Sequence, residues 1–170
     1  MKSPMAPPEG TVIVEIKGLV LDPSSNLPIV VLRDAESDRL LPIWIGLFEA
    51  QAIALGLEGI ETPRPMTHDL LLRLIEGVQA EVSHVVVSDL IDNTFFAQIH
   101  VRRGQVQEAV DSRPSDAIAL ALRAEAPLFV HRQVFDKAEI SGLTDRLGKQ
   151  ERLKKWLEDA DPEDLGKYEM

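Results

Sequence analysis

Apolar and polar residues alternate over Val12–Leu21 (VIVEIKGLVL), which predicts a strand with Val12, Val14 and Ile16 on one face. Asp22-Pro23-Ser24-Ser25-Asn26 has the composition of a turn, so Leu27–Arg33 (LPIVVLR) reads as an antiparallel partner. Ala35–Asp38 supplies a second turn, and Leu40–Ile45 (LLPIWI) a third strand. The period then lengthens. Gly46 and Glu49 mark the start of a helix that ends at Gly59, and its stretch AQAIALGLE is apolar or small on most faces. Such a helix is expected to be buried on more than one side.

Two prolines forbid helix in Glu61–Pro65. Thr67 then has the character of an N-cap for His68–Gln79, whose Leu71, Leu72, Ile75 and Val78 form a stripe. Val82–Ile91 and Phe95–Arg102 flank the tight turn Asp92-Asn93-Thr94 and predict a hairpin. Gln105–Val110 continues as a strand, Asp116–Ala124 as a short helix capped by Ser115, and Pro127–Val130 as a last strand. The remainder is polar and helical: Lys149–Ala160 is amphipathic through Leu153, Trp156 and Leu157, and an acidic tail follows.

A repeat organises these elements. Shifted by 65 residues, Ala52-Ile53-Ala54-Leu55-Gly56-Leu57 lies over Ala117-Ile118-Ala119-Leu120-Ala121-Leu122, and Val30-Val31 lies over Phe95-Phe96. Both halves read as hairpin, third strand, helix. The expected fold is α+β: a mostly antiparallel sheet or partial barrel from two duplicated units, with an added amphipathic helix and a C-terminal helix. The cleft between the halves is where a site should be sought. Residues 1–10 read as a disordered lead-in, 11–137 as the domain, and 138–170 as the helix and acidic tail.

Composition narrows the function. The 170 residues include no cysteine, which removes thiolate chemistry and suits a reducing, cytoplasmic setting. Met1–Gly10 has no apolar h-region, so no signal peptide is expected, and no apolar run is long enough to span a bilayer. A net charge of −10 opposes passive nucleic-acid coating, although a bound cation or local basic stripe would offset it.

Three polar segments can carry chemistry. Glu49 is either a helix-dipole carboxylate or a metal ligand or general base. His68 and Asp69 are adjacent on a helix, about 100° apart, so each needs a partner from elsewhere. In Asp111-Ser112-Arg113-Pro114-Ser115-Asp116, capping accounts for Ser115 and Asp116 but not for Arg113, whose guanidinium beside a helix N-terminus makes a phosphate site. His84, His100 and His131 read as structural or solvent-facing. Phosphate-loop, HExxH and GxSxG motifs are all missing.

Leu41-Pro42-Ile43-Trp44-Ile45-Gly46 with Glu49-Ala50 and Ala52-Ile53, Arg64-Pro65 with Thr67-His68-Asp69-Leu70-Leu71, and Asp111 through Ala121 together resemble the bifunctional nuclease domain family. The tail Asp161–Tyr168 is similar to the end of bacterial members. The resemblance implies cleavage of RNA and DNA, a label that derives from plant relatives. Phosphodiester hydrolysis commonly uses carboxylate-held Mg²⁺ or Mn²⁺. Glu49, Asp69 and Asp116 are then the metal-binding and catalytic carboxylates, His68 the acid or base, and Arg64, Arg113 and Ser115 the substrate-binding residues. No organic cofactor is expected. Nucleic acid is the implied partner, a membrane is not, and the sheet edge with two small-residue helices points to a homodimer. The rival is a non-catalytic regulatory or ligand-binding module that uses the same polar cleft.

Overall fold

The computed structural model describes residues 6–143, so the helix expected over 149–160 and the acidic tail lie outside the described residues. The chain runs β1 (Thr11–Leu21), β2 (Pro28–Asp34), β3 (Leu40–Trp44), α1 (Leu47–Glu58), α2 (Thr67–Gly77), β4 (Glu81–Ile91), β5 (Thr94–Arg103), β6 (Val106–Ser112), α3 (Pro114–Ala124), β7 (Leu128–His131) and α4 (Arg132–Ile140). The fold is α+β, with an open seven-stranded sheet in the order β3-β2-β1-β7-β4-β5-β6 rather than a partial barrel. Each half contributes an antiparallel three-stranded meander followed by a helix, β1-β2-β3-α1 and β4-β5-β6-α3. Short β7 joins them, antiparallel to β1 and parallel to β4. A parallel neighbour requires a crossover, and α3 supplies it between β6 and β7.

Alternation places Val85 and Val87 of β4, Ala97 and Ile99 of β5, and Leu128 and Val130 of β7 in one core with α3. There Ala117, Ile118, Ala119 and Leu120 are fully buried. The core is continuous across both halves, since Leu32, Leu41, Ile43 and Ile53 belong to it as well.

Three local expectations are corrected. Helix α1 buries only Ala50, Ile53 and Ala54, while Leu47, Phe48 and Leu57 are exposed. It flanks α3 instead of lying beneath a second layer, so one of its apolar faces stays open to solvent. Met66, not Thr67, is the N-cap of α2; the Asp69 carboxylate accepts the Met66 N–H at 2.8 Å and closes the turn. Arg113, not Ser115, is the N-cap of α3, because Pro114 fits the first helical position with its fixed φ and missing N–H. Ser115 is buried inside the first turn.

Helix α4 carries Val134, Phe135 and Ala138 into the core and packs against β4, β7 and β3. Its Asp136 and Glu139 hold Arg39, whose guanidinium lies 5.1 Å from the Phe135 ring centre.

Candidate active site

The N-termini of α1 and α3 approach the first turn of α2, and the three ends enclose a cleft of about 340 Å³. Its polar floor is built around Arg113. The guanidinium donates to both Asp116 oxygens, Nε to Oδ2 at 2.7 Å and Nη2 to Oδ1 at 3.1 Å, and Nη1 donates to Glu49 Oε1 at 2.8 Å. His68 Nε2 lies 2.9 Å from Asp116 Oδ1. Residues 64 positions apart in one contact and 48 in the other thus form a single chain of contacts, Glu49–Arg113–Asp116–His68.

Local sequence accounts for the aim of each group. Glu49 is in the first turn of α1, and a Cβ at Gly46 would strike its carboxylate, so the glycine leaves room for the side chain to fold back over the helix start. Asp116 is in the first turn of α3, where the helix dipole favours an anion. Burial pushes the Asp116 carboxyl up, but hydrogen bonds from Arg113 and His68 outweigh it and leave the group below the ordinary carboxylate range. Bonds to Asp116, and then the bond to Glu49, raise Arg113 above its ordinary value. Asp116 is therefore ionised at neutral pH and can only accept, so His68 Nε2 is the donor in their contact. Arg113 is 63% exposed and faces solvent across the cleft, so the cation is accessible to an anionic ligand.

Asp69 takes another direction. Its Oδ1 accepts from Arg123 Nε at 2.5 Å, and the carboxylate does not line the cleft. Burial raises its carboxyl, and the Met66 N–H and Arg123 more than reverse the effect, leaving it lowered. Arg64 is exposed and does not line the cleft; the contact at that position is its carbonyl, which accepts the Thr62 hydroxyl at 2.6 Å.

The sequence offered no reason to choose Arg123. It lies in the last turn of α3 with only 10% of its side chain exposed, and Nη1 donates to the carbonyls of Ala52 at 3.0 Å and Ala119 at 2.8 Å. One guanidinium thereby ties α1, α2 and α3 together. A basic residue ending an otherwise buried apolar helix was the only available signal. Phe48 was also missed: it lines the mouth of the cleft and is 81% exposed.

The donor set does not fit a resident divalent cation as arranged. Glu49 and Asp116 close on the guanidinium of Arg113, and Asp69 closes on Arg123. Among the described residues no three His, Asp or Glu side chains converge with metal-holding spacing.

Comparison with known proteins agrees with the motifs that build this cleft. The family model described as the bifunctional nuclease domain matches residues 30–142, which include every cleft residue named above. The chain belongs to the bifunctional nuclease domain family. An uncharacterized protein of Mycobacterium tuberculosis is 37% identical over 161 residues, which cover 89% of this chain and 96% of that relative. Bifunctional nuclease 2 of Oryza sativa subsp. japonica is 28% identical over 122 residues, 69% of this chain and 38% of the plant protein. Bifunctional nuclease 1 of Arabidopsis thaliana is 28% identical over 109 residues, 62% of this chain and 34% of the relative. This member thus spans about a third of the plant proteins it matches. No helix among the described residues is long and apolar enough to cross a membrane.

Proposed function

We propose that this family member cleaves phosphodiester bonds of RNA and DNA in the cleft between α1, α2 and α3. The observation that carries the reading is an accessible arginine beside a histidine held by an ionised aspartate, at the start of a helix. Arg113 and the first-turn N–H groups of α3 receive the phosphate, exchanging the Glu49 contact for the ligand. His68 Nδ1 takes the proton of the attacking hydroxyl, from water on either substrate or from the ribose 2′-OH on RNA. Asp116 stabilises the imidazolium that results, which returns the proton to the leaving oxygen as its bond to phosphorus breaks. Arg113 then offsets the charge that develops on the phosphorus oxygens. Phe48, at the cleft mouth, offers an aromatic face to a base lifted out of its stack.

The net charge of −10 is not expressed at the cleft, whose lining sets Arg113 and Arg123 against Glu49 and Asp116. Because these carboxylates are held by arginines, no step is routed through Mg²⁺ or Mn²⁺, and cleavage is expected to survive EDTA. The assay compares wild type, Arg113→Ala and His68→Gln on short single strands of RNA and DNA, with EDTA or added Mn²⁺. Each substitution should lower the rate about 100-fold or more. Loss of wild-type activity in EDTA with recovery in Mn²⁺ would instead make Glu49 and Asp116 metal ligands. Full pairing of the cluster favours the second reading, a module that holds an anion without reacting. A folded protein that binds the strands through Arg113 but never cleaves them would establish it.

A further inference from the structure

The two edges of the sheet are finished differently. At one edge, β3 buries Leu41, Pro42 and Ile43, and α4 packs against it. At the other, Val106 through Asp111 of β6 are all exposed. Seven successive residues of β6 pair with β5 without a register shift, and the strand contains neither proline nor lysine. Isolated chains usually blunt such an edge with a bulge, a proline or inward charges, because its unpaired N–H and C=O groups template another strand; in β6 Glu108 is the one charge on the helix-bearing face.

Beside this edge lies an apolar surface. Val110 pairs with core residue Ile99, so alternation puts Val106, Glu108 and Val110 on the sheet face that carries the helices. Val78, just past α2, meets Ala80, Val101 and Val106 around a depression of about 260 Å³, with Arg103 and Glu108 as its charged pair of lining residues. From there Leu74 and Leu71 continue the stripe along α2, which buries none of its own residues. The small-residue faces of α1 and α3 are not available for a partner, since they pack on each other: a Cβ at Gly56 would lie 3.1 Å from Leu122 Cβ.

We propose that a second copy of this chain covers this surface, with β6 pairing antiparallel to β6 of the partner about a two-fold axis. A strand with a two-fold axis through its centre is complementary to itself. Here that symmetry also satisfies charge. Pairing centred on Ala109 sets Gln107 against Asp111 of the partner subunit and Glu108 against the partner's Val110. Centring on Val110 likewise sets no carboxylate against another. Pairing centred on Glu108, or midway between Ala109 and Val110, opposes carboxylates, and a chain of net charge −10 disfavours it. In both of these registers Val110 of each copy lies in the floor, joined by Val106 when the pairing is centred on Ala109, and the Leu71–Leu74–Val78 stripes close over it. The seam strand runs directly into Ser112 and Arg113, so the dimer also anchors the segment that carries the cleft arginine.

Sedimentation velocity of the full chain tests this independently of any cleavage assay. Wild type should be a dimer at about 10 µM, and Val110→Glu should weaken association about 100-fold in either register. Leu74→Glu lies outside the sheet, so it probes the same surface without touching β6 pairing, and it should also weaken the dimer. Hydrogen exchange completes the test: β6 amides should be protected in wild type and released in Leu74→Glu, while β4 and α3 stay protected in both. A wild type that remains monomeric at about 100 µM, or a dimer indifferent to both substitutions, would overturn the proposal.

Discussion

Helices α1 and α3 share the string Ala-Ile-Ala-Leu and follow equivalent meanders, yet they are used differently. In α3 all four residues are fully buried, whereas in α1 the isoleucine is fully buried, Ala54 nearly so, and Ala52 and Leu55 are half-exposed. The cause is position. Helix α3 lies between α1 and α2 and over β4 and β5, so nearly every face meets protein, while α1 touches α3 and β2 and leaves a face free. The free face is not waste. It puts Phe48 and Glu49 at the mouth of the cleft, opposite the cation that α3 supplies. One helix anchors the core and the other borders the site.

The largest expected effect tests that division of labour. Leu120→Ala in α3 should cost about 3–4 kcal/mol in urea unfolding, and the matched Leu55→Ala in α1 about 1 kcal/mol. Equal costs would mean that the two helices are equally central. In the site the asymmetry reappears as chemistry. Asp116 contacts both Arg113 and His68, whereas Glu49 reaches the chain through Arg113. Asp116→Asn should therefore lower cleavage about 100-fold and Glu49→Gln about 10-fold, with unfolding midpoints nearly unchanged. A larger loss from Glu49→Gln would move the catalytic centre to the α1 side.

Acid provides a control from the other face of the sheet. Phe129 alternates with core residues Leu128 and Val130 and meets His84 edge-on, and His84 stacks on His100 with ring centres 4.1 Å apart. Burial, with a contribution from His100, pushes His84 down to about 4 from 6.5. Between those values the unfolded chain binds a proton that the folded chain refuses. Stability is therefore complete above 6.5 and falls, by about 3 kcal/mol, as pH drops towards 4. His84→Phe should flatten that slope in urea titrations from pH 7 to 4, and activity loss that persists in this variant would belong to the cleft. The smallest effects separate the two glycines of the α1 region. Gly46→Ala displaces the end of a flexible glutamate and should reduce cleavage a few-fold at little cost in stability. Gly56→Ala presses on Leu122 and Arg123 and should cost about 1 kcal/mol without altering the rate per folded molecule.

Strand periods and turn chemistry were legible in the sequence because they are local: the hairpins β1-β2 and β4-β5 follow from alternation and from Asp22–Asn26 and Asp92-Asn93. Cap positions were less legible. Side-chain preference selected Thr67 and Ser115, whereas backbone geometry used Met66 and Arg113, since a proline at the first helical position and an aspartate reaching back to the cap N–H decide the terminus. The motifs named Glu49, His68, Arg113 and Asp116, which the fold gathers into one network. They also named Asp69 and Arg64, which it does not. Nothing in a motif distinguishes His68 from Asp69, because the 100° between neighbouring helical residues acquires meaning only when α3 is in place.

By itself, then, the sequence determined the kinds of elements, their order and the polar segments worth watching, all consequences of interactions between near neighbours. Only the tertiary structure decided which face of α1 stayed open, that Arg123 ties the three helices of the cleft, and that β6 rather than β3 is the edge left uncovered by the described residues. Those outcomes depend on contacts between residues far apart in the chain, where burial and ion pairing are set by what the remaining elements bring alongside.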